Sequence, residues 1–594
     1  MRRIDRSAQS SRRLPAHALK GAGLLTGSLA AGLLAGAAFA QQTPAPAGQL
    51  LKPTIGSPLA DQAPRLINPT RVLVTLKAGE NRESLKTEAS RRQRESSDGR
   101  MDAVVAAIEA ASASGGQSLV VELPAASNEQ SGRPAAPAVP ADPNDFAANL
   151  APDAAHLVEE LRQMPQVEAV EPDLFLFANQ GSSAADSINA ILGAGPAPNA
   201  GRLPAPVARG NAPGIGSAPQ PLPGQRPLAN AVPQLSDDPF AVFQWQLLDH
   251  AETFSATALP GGTGFQTWRD AHRQLTGPAP IVAIVDTGLV AAHEDLDTER
   301  VLPGYDFISL DLVANDGGGR DADATDTGDG APADHCFKGS PATESSWHGS
   351  HVAGIAGATR SDNRIGIGYP GVPVRIVPVR ALGRCGGTTS DIIDAMRWAA
   401  GLAVTGVPAN PNPAKVINMS LGGPSACPVA YQAAVDEVLA AGTIIVVAAG
   451  NSAEDARQTT PASCTGVITV GASDARGVMT PYSNFGPRID ILAPGGDVTR
   501  DDDGNMVPDG IVSMVSGGYA PYQGTSMASP LVAAAVAALA SERPAITAAE
   551  ARQALVSTAL PRSSTECPKG CGAGLLQLSP PADAPATSVA RSSR

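Results

Sequence analysis

The second half of the chain is punctuated by short, almost unbroken apolar runs. They are IVAIVD (281–286), VRIVPVR (374–380), KVINMS (415–420), TIIVVAAGN (443–451) and GVITVGA (466–472). Between them lie two stretches of helical composition, DIIDAMRWAAGL (391–402) and PVAYQAAVDEVLAAG (428–442). A third helical run, LVAAAVAALA, follows GTSMASP near residue 530. Strands with no polar alternation must be covered on both faces. Apolar runs alternating with helices therefore predict an α/β fold with a mainly parallel central sheet between helical layers. Sites in such sheets form outside the carboxyl ends of the strands. The polar residues ending these runs are Asp286, Ser420 and Asn451.

The pattern before residue 237 is different. RVLVTLK (71–77) and SLVVELP (118–124) read as strands, and VEAVEPDLFLFA (167–178) as a last strand region. Residues 83–112 have helical composition, and LAPDAAHLVEELRQM (150–164) is an amphipathic helix. This β-α-β-α-β order predicts a small α+β domain over 66–178. Residues 41–65 read as a Pro/Ala/Gln-rich spacer. Residues 179–236, rich in Pro, Gly, Ala and Asn, read as a linker, because such a composition buries little apolar surface. The α/β domain then covers 237–577, and a Pro/Ala/Ser-rich tail, 578–594, is expected to be disordered.

The first forty residues fit a signal peptide. Six basic residues, from Arg2 to Lys20, precede a small-and-apolar run over 21–38, and Ala38-Phe39-Ala40 supplies a cleavage pattern. The alternative is a membrane anchor, for which the run is short and rich in Gly and Ala. No later run of about twenty apolar residues stands out, so no stable membrane anchor is expected. A net charge of −14 excludes nucleic acid as the main partner, since phosphate binding needs a basic surface. The six cysteines are Cys336, Cys385, Cys427, Cys464, Cys567 and Cys571. An even number in an exported chain points to disulfides. Spacing does not fix the pairing; sequential pairs are expected, with Cys567 and Cys571 close enough for a local clip.

Candidate chemistry gathers where regular elements begin or end. Ser526 in GTSMASP stands at a helix start, where unpaired N–H groups and the helix dipole favour negative charge. Alone it would read as an N-cap serine. Asp286 ends its strand, and His348 opens the small-residue stretch HGSHVAGIAGA. Acyl transfer by a nucleophile needs a hydroxyl, an imidazole to take its proton and a carboxylate to orient the imidazole. All three are present, in the order Asp, His, Ser. No GxSxG elbow occurs around Ser526, which argues against an esterase or lipase.

Three segments resemble the active-site signatures of the subtilisin-like serine proteases. They are VDTG (285–288), HGSHVAGIAG (348–357) and GTSMASP (524–530). AAGN (448–451) resembles that family's oxyanion segment. DPFAVFQWQL (238–247), an Asp-rich insert and the six cysteines resemble its secreted proteobacterial members. The one departure is Ser350, where threonine is commoner. The resemblance implies a three-layer subtilisin-like fold over about 237–577. It implies Ser526 as nucleophile, His348 as base and Asp286 as its orienting partner. Asn451 and the Ser526 N–H would bind the oxyanion, and Ser420-Leu421-Gly422 would pair with extended substrate. His351, three residues from His348, is the rival base and is expected to support the site instead. The 66–178 unit would be an inhibitory propeptide whose last strand lies near the active site. Self-cleavage is then expected after about residue 178, within the linker, or near Ser236. Asp295 in HEDL, with Asn363, Ile365 and Ile367 in SDNRIGIG, matches the family's calcium loop.

These residues together predict a secreted, monomeric serine endopeptidase made as a zymogen. Its partners would be broad protein or peptide substrates and its own propeptide; structural Ca²⁺ and no catalytic cofactor are expected. A non-catalytic binding protein on the same fold would have lost one of the three residues, and none is lost. The seven aspartates Asp311, Asp316, Asp321, Asp323, Asp326, Asp329 and Asp334 offer a second place for Ca²⁺ on a Gly-rich loop. That loop lacks the closing Glu of an EF-hand, and a merely solvated acidic loop is the alternative.

Overall fold

Five of the seven strands in the central sheet are the apolar runs. The computed structural model describes residues 67–96, 100–114, 117–124, 146, 150–178, 238 and 240–578, less gaps at 252, 254, 256–257, 272–278, 337–339, 361–365, 369 and 506. The expected signal peptide, spacer and linker, and all but Leu578 of the expected tail, lie outside these residues.

The N-terminal part runs β1 (Ile67–Leu76), α1 (Arg82–Glu95), α2 (Arg100–Ala110), β2 (Ser112–Ala113), β3 (Ser118–Glu122), α3 (Pro152–Arg162) and β4 (Val167–Ala178). The single helical stretch expected over 83–112 is two helices. Asn81 and Ser84 start α1 with reciprocal caps, and Ser96 closes it with extended backbone. Residues 97–99, between the two helices, lie outside the described residues. β1 pairs antiparallel with β3 and β4. Val72 and Val74 face the helices, packing with Leu85, Ile108 and Leu157. Leu73, Val120 and Leu176 lie on the other face, in one cluster with Ile392, Met396 and Tyr431 from the second half of the chain. Both faces of this sheet are therefore covered, which is why β1 shows no polar alternation.

The second half carries β5 (Ile281–Asp286), β6 (Tyr305–Asp306), α4 (His348–Ala353), β7 (Arg375–Arg380), β8 (Gly387–Thr388), α5 (Thr389–Ala399), β9 (Val416–Met419), β10 (Leu421–Pro424), α6 (Val429–Ala440), β11 (Ile444–Ala448), β12 (Thr459–Thr460), β13 (Ile468–Ser473), β14 (Ile491–Pro494) and α7 (Thr525–Glu542). The central sheet has the order β14-β13-β11-β9-β5-β7-β6, and its neighbours are parallel throughout. Val282 and Ile284 point into a cluster with α4 and α7. Ala283 and Val285 point to the opposite side, toward α5 and α6. That is the three-layer α/β arrangement.

α7 has the length and hydropathy to cross a membrane, but 83% of its apolar window is buried inside the protein. It is a core helix, apolar on all sides because it has no outer face. The disulfides are Cys336–Cys385, Cys427–Cys464 and Cys567–Cys571.

Ala533 to Ala538 in α7 are wholly buried. Ala534→Leu would force extra atoms into this close-packed layer. It should cost about 1–3 kcal/mol, read as a lowered urea midpoint with unchanged slope; an unchanged midpoint would show that this layer has room.

Candidate active site

Four element ends meet at the carboxyl edge of the sheet. β5 delivers Asp286, α4 begins with His348, β9 leads into Ser420, and α7 begins with Thr525-Ser526. The start of α4 lies very close to the strand end. A Cβ on Gly349 would stand 2.2 Å from the Gly288 carbonyl, so only glycine fits there.

Asp286 and His348 are both fully buried, and His348 Nδ1 lies 2.7 Å from Asp286 Oδ1. The same carboxylate oxygen accepts the Thr287 N–H at 2.8 Å. The Asp286 carbonyl accepts the N–H groups of Ala381 and Leu382. Backbone and side chain of Asp286 are thus both fixed. His348 Nε2 has no hydrogen-bond partner among the described residues. His351 is held elsewhere: its Nε2 donates to the Ala520 carbonyl at 2.9 Å, and its ring stacks on Tyr522. Burial pushes His351 down to about 3. Burial thus favours the neutral form of this ring.

Ser526 is oriented by a consequence of Pro530. A proline inside a helix lacks the N–H that would bond the carbonyl four residues earlier. Here that carbonyl belongs to Ser526. It accepts the Ser420 hydroxyl instead, at 2.9 Å, while the Ser526 hydroxyl donates to the Ser420 carbonyl at 3.0 Å. Asn418 supports the pair, donating to Ser420 Oγ at 2.9 Å and accepting from Ser529 Oγ at 2.7 Å. Sequence reasoning passed over Asn418, Ser529 and Pro530. The available signals were a polar residue inside the apolar run KVINMS and a proline six residues into a helix.

Asn451 lies beside the same helix start. Its Oδ1 accepts both the N–H and the hydroxyl of Thr525, each at 2.9 Å. The Nδ2 end of the amide therefore points away from Thr525. The Ser526 N–H lies in the first turn of α7, at the positive end of the helix.

The expected edge segment 420–422 is paired, and its partner is β4. Leu421 faces Ala178 and Gly422 faces Phe177, antiparallel. On its other side β4 pairs with β8, Gly387 facing Leu176 and Thr388 facing Phe175. β8 was missed in the sequence because two residues carry no periodicity. The approach is close: a Cβ on Gly386 would lie 2.2 Å from the Leu176 carbonyl. Two carboxylates lock β4 further. Glu171 accepts the N–H groups of Val429 and Ala430 at the start of α6. Asp173 accepts the N–H and hydroxyl of Ser390 at the start of α5. Burial pushes Asp173 up to about 7, against the pull of the Ser390 donors.

Of the expected cation ligands, Asn363 and Ile365 lie outside the described residues. Asp295 is fully buried. Its Oδ2 accepts the Ile367 N–H at 2.9 Å, and its Oδ1 has no partner. Burial, with Asp238 nearby, pushes it up to about 8. A buried, half-satisfied carboxylate beside a second one fits a hard cation with oxygen ligands. The Asp-rich segment does not behave as a second such loop. Asp316 binds Arg380, Asp326 accepts from Thr287, and Asp329 accepts from Ser346. Its carboxylates are spread over separate partners and do not converge. Asp501, Asp503 and Asp509 do converge, their ligand oxygens within 4.8 Å of one another.

Comparison with known proteins finds relatives for the second half of the chain. The profile of the subtilase family, peptidase S8, matches residues 277–574. An extracellular protease of Xanthomonas campestris pv. campestris is 45% identical over 311 residues, 52% of each chain. An extracellular basic protease of Dichelobacter nodosus is 39% identical over 324 residues, 53% of this chain and 52% of that protein. This chain therefore spans about half the length of these two relatives. Subtilisin DY of Bacillus licheniformis is 34% identical over 282 residues, 82% of its length. A solved protease structure from Pseudoalteromonas arctica is 39% identical, with a TM-score of 0.51 over 58% of this chain and 97% of that one.

Asn418→Ala would leave the hydroxyl of Ser529 without its buried acceptor and Ser420 Oγ without a donor. The expected loss is about 1–3 kcal/mol, measured by urea unfolding. A loss under a few tenths would mean that the two serines re-pair without Asn418.

Proposed function

This chain belongs to the subtilase family, and from that premise we propose that it is a secreted serine endopeptidase made as a zymogen. The observation that carries the reading is the 2.7 Å contact between two fully buried side chains, His348 and Asp286, beside a helix that begins with Ser526.

In this reading Ser526 Oγ leaves the Ser420 carbonyl and turns toward His348 Nε2. His348 accepts the proton as Oγ attacks the scissile carbonyl. Asp286 holds the ring with Nδ1–H toward it and stabilises the imidazolium. Asn451 Nδ2 and the Ser526 N–H take the oxyanion. The peptide C–N bond then breaks, and His348 returns its proton to the leaving amine. Water, deprotonated by His348 in turn, attacks the acyl-enzyme ester and frees Ser526.

The substrate backbone would enter as a strand between β8 and β10, where β4 now lies. Residues 66–178 are then an inhibitory propeptide, with β4 standing in for substrate. Ala178 is opposite Leu421, next to the serine whose carbonyl holds Ser526 Oγ. A first self-cleavage just beyond Ala178 follows. Export by the N-terminal segment agrees with relatives described as extracellular. Pairing through the backbone favours broad protein substrates over one sequence. Structural Ca²⁺ would be held by Asp295 with the 363–367 loop; it would brace the site, and no cofactor enters the chemistry.

Ser526→Ala should leave the protein folded and abolish both peptide hydrolysis and self-processing. A loss on the order of 10⁶ in kcat, as found for subtilisin itself, is the scale expected. Mature, active protein from that variant would sink the assignment.

Calcium is tested in the same inactive background. Chelation by EDTA should lower the melting temperature, and more at higher pH. Folded Asp295 keeps its proton to about 8 against a usual 3.8, so without a cation the folded state binds more protons than the unfolded one. Stability then falls as pH rises across that window. Asp295→Asn should remove both the chelator shift and much of the slope. A melting temperature indifferent to saturating EDTA removes the claim.

A further inference from the structure

The Asp-rich segment takes no part in the chemistry above, yet it reaches the backbone on both sides of the His348–Asp286 contact. Asp326 accepts the Thr287 hydroxyl at 2.6 Å, and that hydroxyl accepts the Gly349 N–H at 2.8 Å. Asp329 accepts both the N–H and the hydroxyl of Ser346, each at 2.6 Å. The Ser346 carbonyl accepts the Tyr522 hydroxyl at 2.8 Å. Between Ser346 and His348 stands Trp347, at φ 52° and ψ 33°.

That backbone conformation is left-handed, and it is strained for a bulky side chain. Trp347 also occupies the N-cap position of α4 and makes no capping bond of its own. Within the helix, the Trp347 carbonyl accepts the His351 N–H at 3.2 Å. Asp329 supplies the outside hold, on a segment that is itself anchored. Ala331 and Thr343 exchange backbone hydrogen bonds, Arg384 Nε donates to the Gly330 carbonyl, and Cys336 is bonded to Cys385.

We infer that Asp329 is a positioning residue for the proposed reaction: its two-bond grip on Ser346 keeps Trp347 left-handed and so aims the His348 ring at Asp286. The inference rests on the peptidase reading of this site. If the backbone at Trp347 relaxes, α4 starts in a different direction and the 2.7 Å contact opens. The charged or titratable groups around the ring are Asp286 from β5, His351 from α4 and Asp329 from the acidic segment.

The test compares wild type, Asp329→Ala, Asp329→Asn, Trp347→Gly and the Asp329→Ala/Trp347→Gly pair. Each is purified after self-processing, and active sites are counted with a fluorophosphonate. Per titrated site, Asp329→Ala should lower kcat by on the order of 10²-fold and leave KM within about twofold. The acid limb of its kcat–pH profile should move to lower pH, because an imidazolium turned from Asp286 is less stabilised. Asp329→Asn retains one acceptor and should lose less. Glycine adopts the left-handed region freely, so Asp329→Ala should cost clearly less in the Trp347→Gly background than alone. If Asp329→Ala does not fold, Ser346→Ala removes one of the two bonds without leaving a cavity, and should shift kcat and the acid limb in the same directions. Wild-type kcat with an unmoved acid limb, or equal losses in both Trp347 backgrounds, would overturn the inference alone. Hydrolysis that survives Ser526→Ala would overturn the peptidase reading and the inference with it.

Discussion

Asp286 is a carboxylate with no access to water, and such a group is tolerated only where donors meet it. Its donors come from His348 and Thr287, and its backbone carbonyl is tied to the residues after β7. That one requirement draws together the end of β5, the start of α4 and the turn after β7. Gly349 lets the two chain segments close to contact distance. The parallel sheet makes this economical, because consecutive strands deliver their ends to one edge while the helices start from the same edge. Ser526 and Asn451 reach the site by the same geometry, from the start of α7 and the end of β11.

The opposite problem would arise at β8 and β10 without β4, since the backbone groups they turn toward it would then lack partners. Exposed edges invite another strand. β4 fills that place from within the chain, and its hold is more than backbone pairing. Leu176 is buried among residues of the second half. Glu171 and Asp173 each meet the positive end of a helix, where carboxylates are favoured. Burial works against Asp173, and Asp391 nearby adds repulsion, while the Ser390 donors and Arg71 pull the other way. Its proton is kept to about 7 in this arrangement. A carboxylate that must give up its proton within a closed contact weakens that contact as pH rises. The strand is thus held firmly by shape and pairing, but conditionally by charge.

What the sequence made legible follows from how far each signal extends along the chain. The sheet was readable because its strands are continuous apolar runs, a pattern that buried parallel strands require. The positions of Asp286, His348 and Ser526 were readable because each stands at the boundary of such an element. β8 and β12 were not, since two residues have no period. The division of 83–112 into α1 and α2 was not, because composition alone does not show that α1 closes at Ser96. The support of Ser526 by Ser420, Asn418 and Ser529 was also hidden, because it depends on a bond that Pro530 cannot make. A missing N–H is visible in the sequence; the residue that replaces it is not.

The aspartates show why residue type alone is a weak guide to ligand chemistry. The 311–334 segment is the more conspicuous acidic run, yet its carboxylates are used singly, on Arg380, Thr287 and Ser346. Those three are met by donors from other parts of the fold, while Asp321 and Asp323 accept N–H groups within the segment itself. Asp295 is a single residue in an unremarkable tetrapeptide, but burial and an unpartnered oxygen leave it in need of one. A cation site therefore requires carboxylates that lack other donors, more than it requires many of them. The same accounting explains why the acidic run lies against the α4 start at all. A carboxylate that accepts two bonds from one residue fixes that residue's backbone, and here the residue is Ser346, two positions before His348.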